Sequence, residues 1–294
     1  MNDWLVIANP YAGRRKEIEQ RTRKALQAER IEAEIVAPYG ETEVRACVDE
    51  AVVAGRDRFV VVGGDGTINL VVGALMQHRW EDPPTLGVLP AGSGSDFVRT
   101  FGVSQRLEDA AHHLTGEQVY LSDVGLLRGS WGERHFINVA DAGVLAALVQ
   151  RAEPLPRWLG LARYHVALGL VYPRFPQAEI RLVAGRRTYE GPAMLVVFAN
   201  AQFFGGGWNI APRATVADGL FDMQVFNASK KDVPRLWLRA KTGDHLRDKK
   251  VQRFSADRFT LETDPLWPVE ADGEFFGAGP VEGEIVTGAI NIKI

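Results

Sequence analysis

A single cysteine stands in the 294 residues. Cys47 has no partner within the chain, so an intramolecular disulfide framework is excluded and a reducing compartment fits. Set among Val44, Val48 and Ala51 in a helical pattern, it reads as a packed thiol, not a reactive one. Net charge is nearly absent as well: 34 Lys and Arg against 37 Asp and Glu leave −3. Such a balance provides no global field for nucleic acid, and none is expected as a partner. No run of ~18 uninterrupted apolar residues occurs, so no membrane-spanning helix is expected. The opening "MNDWLVIANP" lacks the basic and then apolar pattern of a secretory signal, which points to the cytoplasm. The six histidines form no H-E-x-x-H, and nothing pairs with Cys47 as a zinc ligand. "AGSGS" lacks the first glycine of a G-x-S-x-G elbow. Neither G-x-x-x-x-G-K-[ST] nor a G-x-G-x-x-G after a strand is present, so the two common nucleotide fingerprints are missing.

What is present is a core-forming composition, 46% hydrophobic and 24% charged, enough for one large domain or two ordinary ones. In the first third, apolar runs alternate with amphipathic stretches. Strands are expected at residues 4–8, 33–37, 58–62 and 85–89. Helices are expected at 15–28, at 42–54 with Thr42 as N-cap, and at 67–77. Near-continuous apolar strands alternating with helices predict a doubly wound α/β domain around a parallel sheet. Ligands of such sheets bind beyond the carboxyl ends of the strands. "NPYAG", "GGDGT" and "PAGSGSD" all fall there, after the first, third and fourth strands. From about residue 130 the pattern changes to short β-like runs: "RHFINVA", "AEIRLVAG", "AMLVVFANA", "LFDMQVF" and "RFTLET". "EADGEFF" carries an Asp-Gly hairpin signal. The expected division is 1–129, a nucleotide-binding α/β domain, and 130–294, an antiparallel β-sandwich-like domain with a helical insertion near 156–172. The active site is expected in the cleft between them.

Glycines after a strand let backbone N–H groups approach an anion, and a following helix adds its positive end. Residues 63–67 and 92–94 are therefore candidate phosphate loops, although glycine loops can also be no more than tight connections. Asp65 and Asp96 favour the first reading. A carboxylate beside a triphosphate is repelled unless Mg²⁺ intervenes or a proton has to move, and phosphoryl transfer needs that mixture of groups.

"NPYAGRR", "GGDGTIN", "LPAGSGSDFVR", "APRATVADGLFD" and "ADGEFF" stand in the order and spacing of a known family. From Asn9 to about Pro280 the chain resembles the bacterial diacylglycerol kinase and lipid kinase family, related to sphingosine and ceramide kinases and more distantly to NAD kinases. The resemblance implies ATP and Mg²⁺ as cofactors and a nucleotide site lined by Asn9, Pro10, Gly13, Gly64, Asp65, Gly66, Thr67, Asn69, Gly92 and Ser93. Ser95 replaces the asparagine usual in the third loop. The family's nucleotide-contacting threonine after the second strand maps near Pro38, with Thr42 a little beyond. On this resemblance Asp65 and Asp96 are expected to handle Mg²⁺ and orientation, and Glu274 to act as the base that takes the proton from the lipid hydroxyl. Phe275 and Phe276 are expected to desolvate that base and raise its pKa, while the competing Asp272 serves the turn. The resemblance further implies a structural metal held by Asp218 with backbone oxygens of Thr215 and Leu220, against the plainer reading of Asp218-Gly219 as a hairpin turn.

The expected partner is a lipid met reversibly at a membrane surface, diacylglycerol first among acceptors and long-chain bases, ceramide or phosphatidylglycerol as alternatives. A homodimer completes the expected partners. An NAD kinase or a nucleotide- or lipid-binding sensor without turnover are the rival functions. Two stretches suit a peripheral enzyme. Residues 156–175 are apolar and aromatic, and residues 230–250 hold eight Lys and Arg against three Asp around Trp237. The plain alternatives are a core helix and a solvated helix face.

Overall fold

The computed structural model describes residues 4–11, 15–92, 95–156, 159, 160 and 162–294, the side chains of residues 15 and 16 excepted. The chain forms two compact units. The first gathers the residues up to Val124 with Gly205–Gly207 and Val286–Ile294, and the second holds Gly125–Phe204 and Trp208–Ile285.

In the first unit, β1 (Trp4–Ala8), α1 (Arg15–Ala28), β2 (Ala33–Val36) and α2 (Gly40–Val53) precede β3 (Arg58–Gly63), α3 (Asp65–Leu75) and β4 (Thr85–Pro90). Short helices α4 (Asp96–Thr100) and α5 (Leu107–Ala110) lead to β5 (Val119–Gly129). The sheet is parallel, with β1 between β2 and β3 and β4 beyond β3. β1, β3 and β4 are buried along nearly their whole length, as near-continuous apolar runs require, whereas the edge strand β2 is only partly covered. Phe59, Val60, Val61 and Val62 are fully buried, each burial worth ~1.5–3 kcal/mol. In α3, Ile68, Val71, Val72 and Leu75 recur at helical spacing and are all buried. The Cys47 thiol is half-buried in α2, and burial pushes its pKa up.

Two helix starts differ from expectation. α2 begins at Gly40, with Tyr39 and not Thr42 at the N-cap. The Glu43 carboxylate reaches back to accept the N–H of the cap residue Tyr39 at 2.6 Å, a bond like the reciprocal half of a capping box. α3 begins at Asp65, so Asp65 and Gly66 form its first turn and not a loop ahead of it.

The second unit contains β6 (Gly132–Phe136), β7 (Val139–Gly143), α6 (Val144–Ala152), α7 (Ala162–Val171), β8 (Ala178–Ala184), β9 (Arg187–Ala193) and β10 (Leu195–Ala199). The small pair β11 (Phe203–Phe204) and β12 (Trp208–Asn209) follows, then β13 (Phe221–Phe226), α8 (Val233–Ala240), β14 (Val251–Ala256) and β15 (Arg258–Asp264). The hairpin β16 (Pro268–Ala271) and β17 (Glu274–Ala278) leads to the long last strand β18 (Val281–Lys293). One antiparallel sheet runs β14-β13-β10-β7-β16-β17, and β9-β8-β15 continues antiparallel onto the start of β18. Phe259 of β15 stacks on Phe198 of β10 at 3.7 Å and meets Phe221 of β13 edge-on at 5.4 Å. These rings join the inner faces of the two sheets into a sandwich. β8 shows the one-faced alternation of a sheet with one wet side. The end of β18 belongs to the first unit, where Asn291 and Ile292 pair in parallel with Thr85 and Leu86 of β4.

The expected helical insertion is α7, apart from residues 157, 158 and 161, which lie outside the described residues. Ala167 packs with Leu148 and Ala152, leaving Val166 and Leu170 exposed. No helix among the described residues is long and apolar enough to cross a membrane.

Candidate active site

β3 and β4 deliver two turns to the same end of the parallel sheet. After β3, the Gly64 carbonyl accepts the N–H groups of Thr67 and Ile68 at 2.9 and 3.1 Å, closing the first turn of α3. The turn after β4 lies directly against it, because both approach through glycines. A Cβ on Gly92 would stand 2.4 Å from the Gly64 Cα, a distance that side chains do not tolerate.

Asp65 ties the two turns together. Its Oδ2 accepts the Asp96 N–H and its Oδ1 the Phe97 N–H, each at 2.9 Å. These are the first amides of α4, donors that a helix leaves unsatisfied, and a carboxylate there complements the helix end. The residue before α4 cannot do this: Ser95 is held in the left-handed region at φ 52° and makes no side-chain cap. Asn9, at the exit of β1, forms a second clip. Its Nδ2 donates to the Thr67 Oγ1 at 2.9 Å while its Oδ1 accepts the Tyr11 N–H at 2.8 Å. Pro10, Thr67 and Asn69 are buried beside these contacts, and Gly66 is exposed at the helix start. Gly13 and Ser93 lie outside the described residues.

Asp96 is 4% exposed. Its Oδ2 accepts the Gly206 N–H at 2.7 Å, whereas its Oδ1 is buried without a hydrogen-bond donor, 3.6 Å from Arg99 Nε. Burial pushes its carboxyl above the ordinary range and the nearby Asp65 charge adds to that, against the amides of Gly206 and Gly207 and the Arg99 charge. Gly206 and Arg99 were not singled out in the sequence. The run "GGG" at 205–207 was the available signal for the first. The first unit thus brings together Asn9, Pro10, Gly64, Asp65, Gly66, Thr67, Gly92 and Asp96. Two carboxylates and a helix N-terminus at one sheet edge can hold a hard cation and orient phosphate.

In the second unit, Glu274 opens β17 after a two-residue turn in which Asp272 and Gly273 both have positive φ, 50° and 82°. This primed geometry matches strand twist. Glu274 is exposed, so Phe275 and Phe276 do not desolvate it; Phe276 instead packs against Trp131 at 5.4 Å. Asp272 does more than shape the turn. Its carboxylate accepts the N–H groups of Ile137, Asn138 and Val139 at 2.8, 3.0 and 3.1 Å, fixing the hairpin to the entry of β7. Asp218 is exposed and its Oδ1 accepts the Leu220 N–H at 3.0 Å, the local bond of an Asx-type turn. Thr215 and Leu220 lie on the same exposed segment. Among the described residues no group of three or more His, Cys, Asp or Glu side chains could hold a metal.

Comparison with known proteins places the two halves. The diacylglycerol kinase catalytic domain matches residues 3–127, and the YegS C-terminal NAD kinase beta sandwich-like domain matches residues 138–294. A diacylglycerol kinase of Bacillus subtilis is 28% identical over 94% of this chain and 91% of its own length. One of Mycobacterium tuberculosis is 31% identical over 85% and 81%. A solved diacylglycerol kinase from Bacillus anthracis shares the fold with a TM-score of 0.74 at 22% identity, covering 99% of this chain and 96% of that one. Together the two domain matches cover nearly the whole chain, and the chain belongs to the diacylglycerol kinase and YegS-like family of lipid kinases.

Proposed function

We propose that this lipid kinase phosphorylates diacylglycerol, giving phosphatidate and ADP. The observation that carries the reading of the nucleotide site is the Asp65 carboxylate bridging the turns after β3 and β4, with the buried Asp96 beside it. The diacylglycerol kinase name on relatives that cover most of this chain supports the acceptor. In the proposed reaction, Glu274 takes the proton as the lipid hydroxyl oxygen forms its bond to the γ-phosphorus, and the bond to the β,γ-bridging oxygen breaks to release ADP. The turn of residues 64–67 receives the phosphates at the start of α3. Asn9 holds that turn through Thr67.

The donors fit Mg²⁺. They are oxygens only, and Asp96 Oδ1 is buried without a donor. Bound there, Mg²⁺ supplies neutralisation of charge developing on the phosphate oxygens. Asp218, with carbonyl oxygens of Thr215 and Leu220, is proposed as a separate structural cation site.

The enzyme is proposed to meet its substrate peripherally. In α8, Leu236 and Ala240 are buried and Trp237 packs on Trp208 at 4.3 Å, while Leu238 is 73% exposed. Arg235 and Arg239 both pair with the buried Asp248, which leaves Lys230, Lys231, Lys241, Arg247, Lys249 and Lys250 as the cations offered to anionic headgroups, Lys230 also donating to the Pro173 carbonyl and Arg247 lying near Asp244.

The test is transfer of labelled phosphate from Mg-ATP to micellar diacylglycerol, ceramide, long-chain base and phosphatidylglycerol, with Glu274→Ala in parallel. Labelled phosphatidate that disappears in the variant is the expected result. Label on another lipid would move the acceptor; transfer undiminished in the variant would remove Glu274 as the base.

A further inference from the structure

Asp141 of β7 and Glu270 of β16 are register partners on adjacent strands, exposed by only 1% and 4%. Backbone amides occupy one oxygen of each. Asp141 Oδ1 accepts the Ala146 N–H in the first turn of α6 at 2.8 Å, and Glu270 Oε2 accepts the Gly273 N–H at 2.8 Å inside the turn that presents Glu274. The other Asp141 oxygen, Oδ2, is buried and receives no N–H. As directly opposed register partners on adjacent strands, the two carboxyl groups lie side by side out of reach of water, and two buried carboxylates so placed do not both ionise. A proton held between them removes the repulsion and gives Asp141 Oδ2 its donor.

We propose that Glu270 is a positioning residue for the catalytic hairpin: with Asp141 it holds one proton, and that proton ties β7, the start of α6 and the turn before Glu274 into one geometry. Burial, and then the Asp141 charge, push the Glu270 carboxyl well above the usual range. Burial raises Asp141 too, against the hydrogen bonds from Glu270 and Ala146, so the pair as a whole favours keeping one proton. Surrounding groups favour its retention. Asp272 in the turn adds negative charge, β10 on the far side of β7 carries no titratable side chain, β17 contributes only the exposed Glu274, and α6 only the exposed Arg151. The pair is unlike the Asp272 carboxylate, whose two oxygens accept three backbone amides.

The positioning role rests on the reading of Glu274 as base, but the shared proton does not. Glu270→Gln keeps a donor toward Asp141 and an acceptor for Gly273 without ionising; Glu270→Ala removes both. Melting temperature and kcat are measured for wild type and both variants from about pH 6 to about pH 9. A carboxyl that binds its proton more tightly when folded contributes stability that is lost as pH rises through the folded pKa. The expected result is a wild-type melting temperature that falls with rising pH by ~3 °C or more beyond any fall in Glu270→Gln, and an alkaline decline in wild-type kcat that Glu270→Gln lacks. Glu270→Ala is expected to have lowered kcat across the range. Equal pH slopes in melting for wild type and Glu270→Gln would overturn the shared proton. The same alkaline decline in both, or wild-type kcat in Glu270→Ala, would overturn the positioning role. Glu274→Gln runs alongside: full kcat there would end the base assignment and the positioning role with it, while the melting series would still judge the pair.

Discussion

Gly64 and Gly92 touch backbone to backbone. A Cβ on Gly92 would stand 2.4 Å from the Gly64 Cα and 2.9 Å from its nitrogen, whereas a Cβ on Gly64 would meet the Gly92 Cα at 3.2 Å. The turns after β3 and β4 can share the Asp65 carboxylate only because neither residue carries a side chain.

Gly92→Ala should therefore separate the turns. A displacement of about 1 Å at such a site costs ~10²-fold in rate, and overpacking costs ~1–3 kcal/mol. Gly64→Ala, with the longer contact, should be milder on both counts. Comparing kcat and thermal unfolding of the two variants checks the order.

Asp65→Asn should lose transfer and also some stability. The amide oxygen can still accept one of the Asp96 and Phe97 N–H groups, but its NH₂ then faces the other donor to donor. One buried donor left unsatisfied costs ~1–3 kcal/mol. Lowered melting with transfer abolished is the expected pair of results; full activity would take Asp65 out of the nucleotide site.

Ser95→Gly should stabilise the protein. Ser95 sits at φ 52°, ψ 47°, a conformation that costs an L residue ~1–2 kcal/mol and that asparagine tolerates better than serine. Chemical denaturation of Ser95→Gly should show a gain of about that size. A loss would mean that the buried Ser95 hydroxyl contributes more than the strain.

Acidification should weaken the second unit through His245. This ring is fully buried, stacks on Phe226 at 5.8 Å and makes a 2.9 Å hydrogen bond between Nε2 and Gln224 Oε1. Burial holds its pKa below the usual value. A histidine kept neutral in the fold contributes stability that is present above the unfolded pKa and lost as pH falls below it. The raised carboxyls of Glu270, Asp141 and Asp96 act in the opposite sense, so the effect is read as a difference. Between about pH 6.5 and about pH 5 the wild-type melting temperature should fall more, or rise less, than that of His245→Gln. His135, also lowered by burial, contributes in the same sense, so His245→Gln should remove part of that slope and not all of it.

The parallel strands were legible because burial on both faces leaves an unbroken apolar run, as at Val60, Val61 and Val62. The "EADGEFF" hairpin was legible because Asp-Gly at two positive-φ positions is a local code. What escaped was every relationship with a distant partner. Helix α2 starts at Gly40 with Tyr39 as its cap, and Glu43 reaches back one turn to hold the Tyr39 N–H. Asp272 reads as a turn residue, yet its carboxylate serves amides 133 to 135 positions away. Helix α4 is five residues long and starts at a site capped from α3, so no window around Asp96 contains its cause. The exposure of Glu274 is likewise non-local: alternation puts Phe275 on the opposite face, and Phe276, on the same face, packs on Trp131 from a distant strand connection.

The pairing of Asn291 and Ile292 with β4 gives the order of synthesis a physical consequence. The ribosome makes the strand that completes the first unit's sheet only after it has made the whole second unit, so the nascent first unit must wait with β4 unpaired on one side. An expressed fragment ending near residue 129 would keep that state permanently and present an open parallel edge to other chains. Adding residues 286–294 back as a separate peptide is the natural complement to such a fragment.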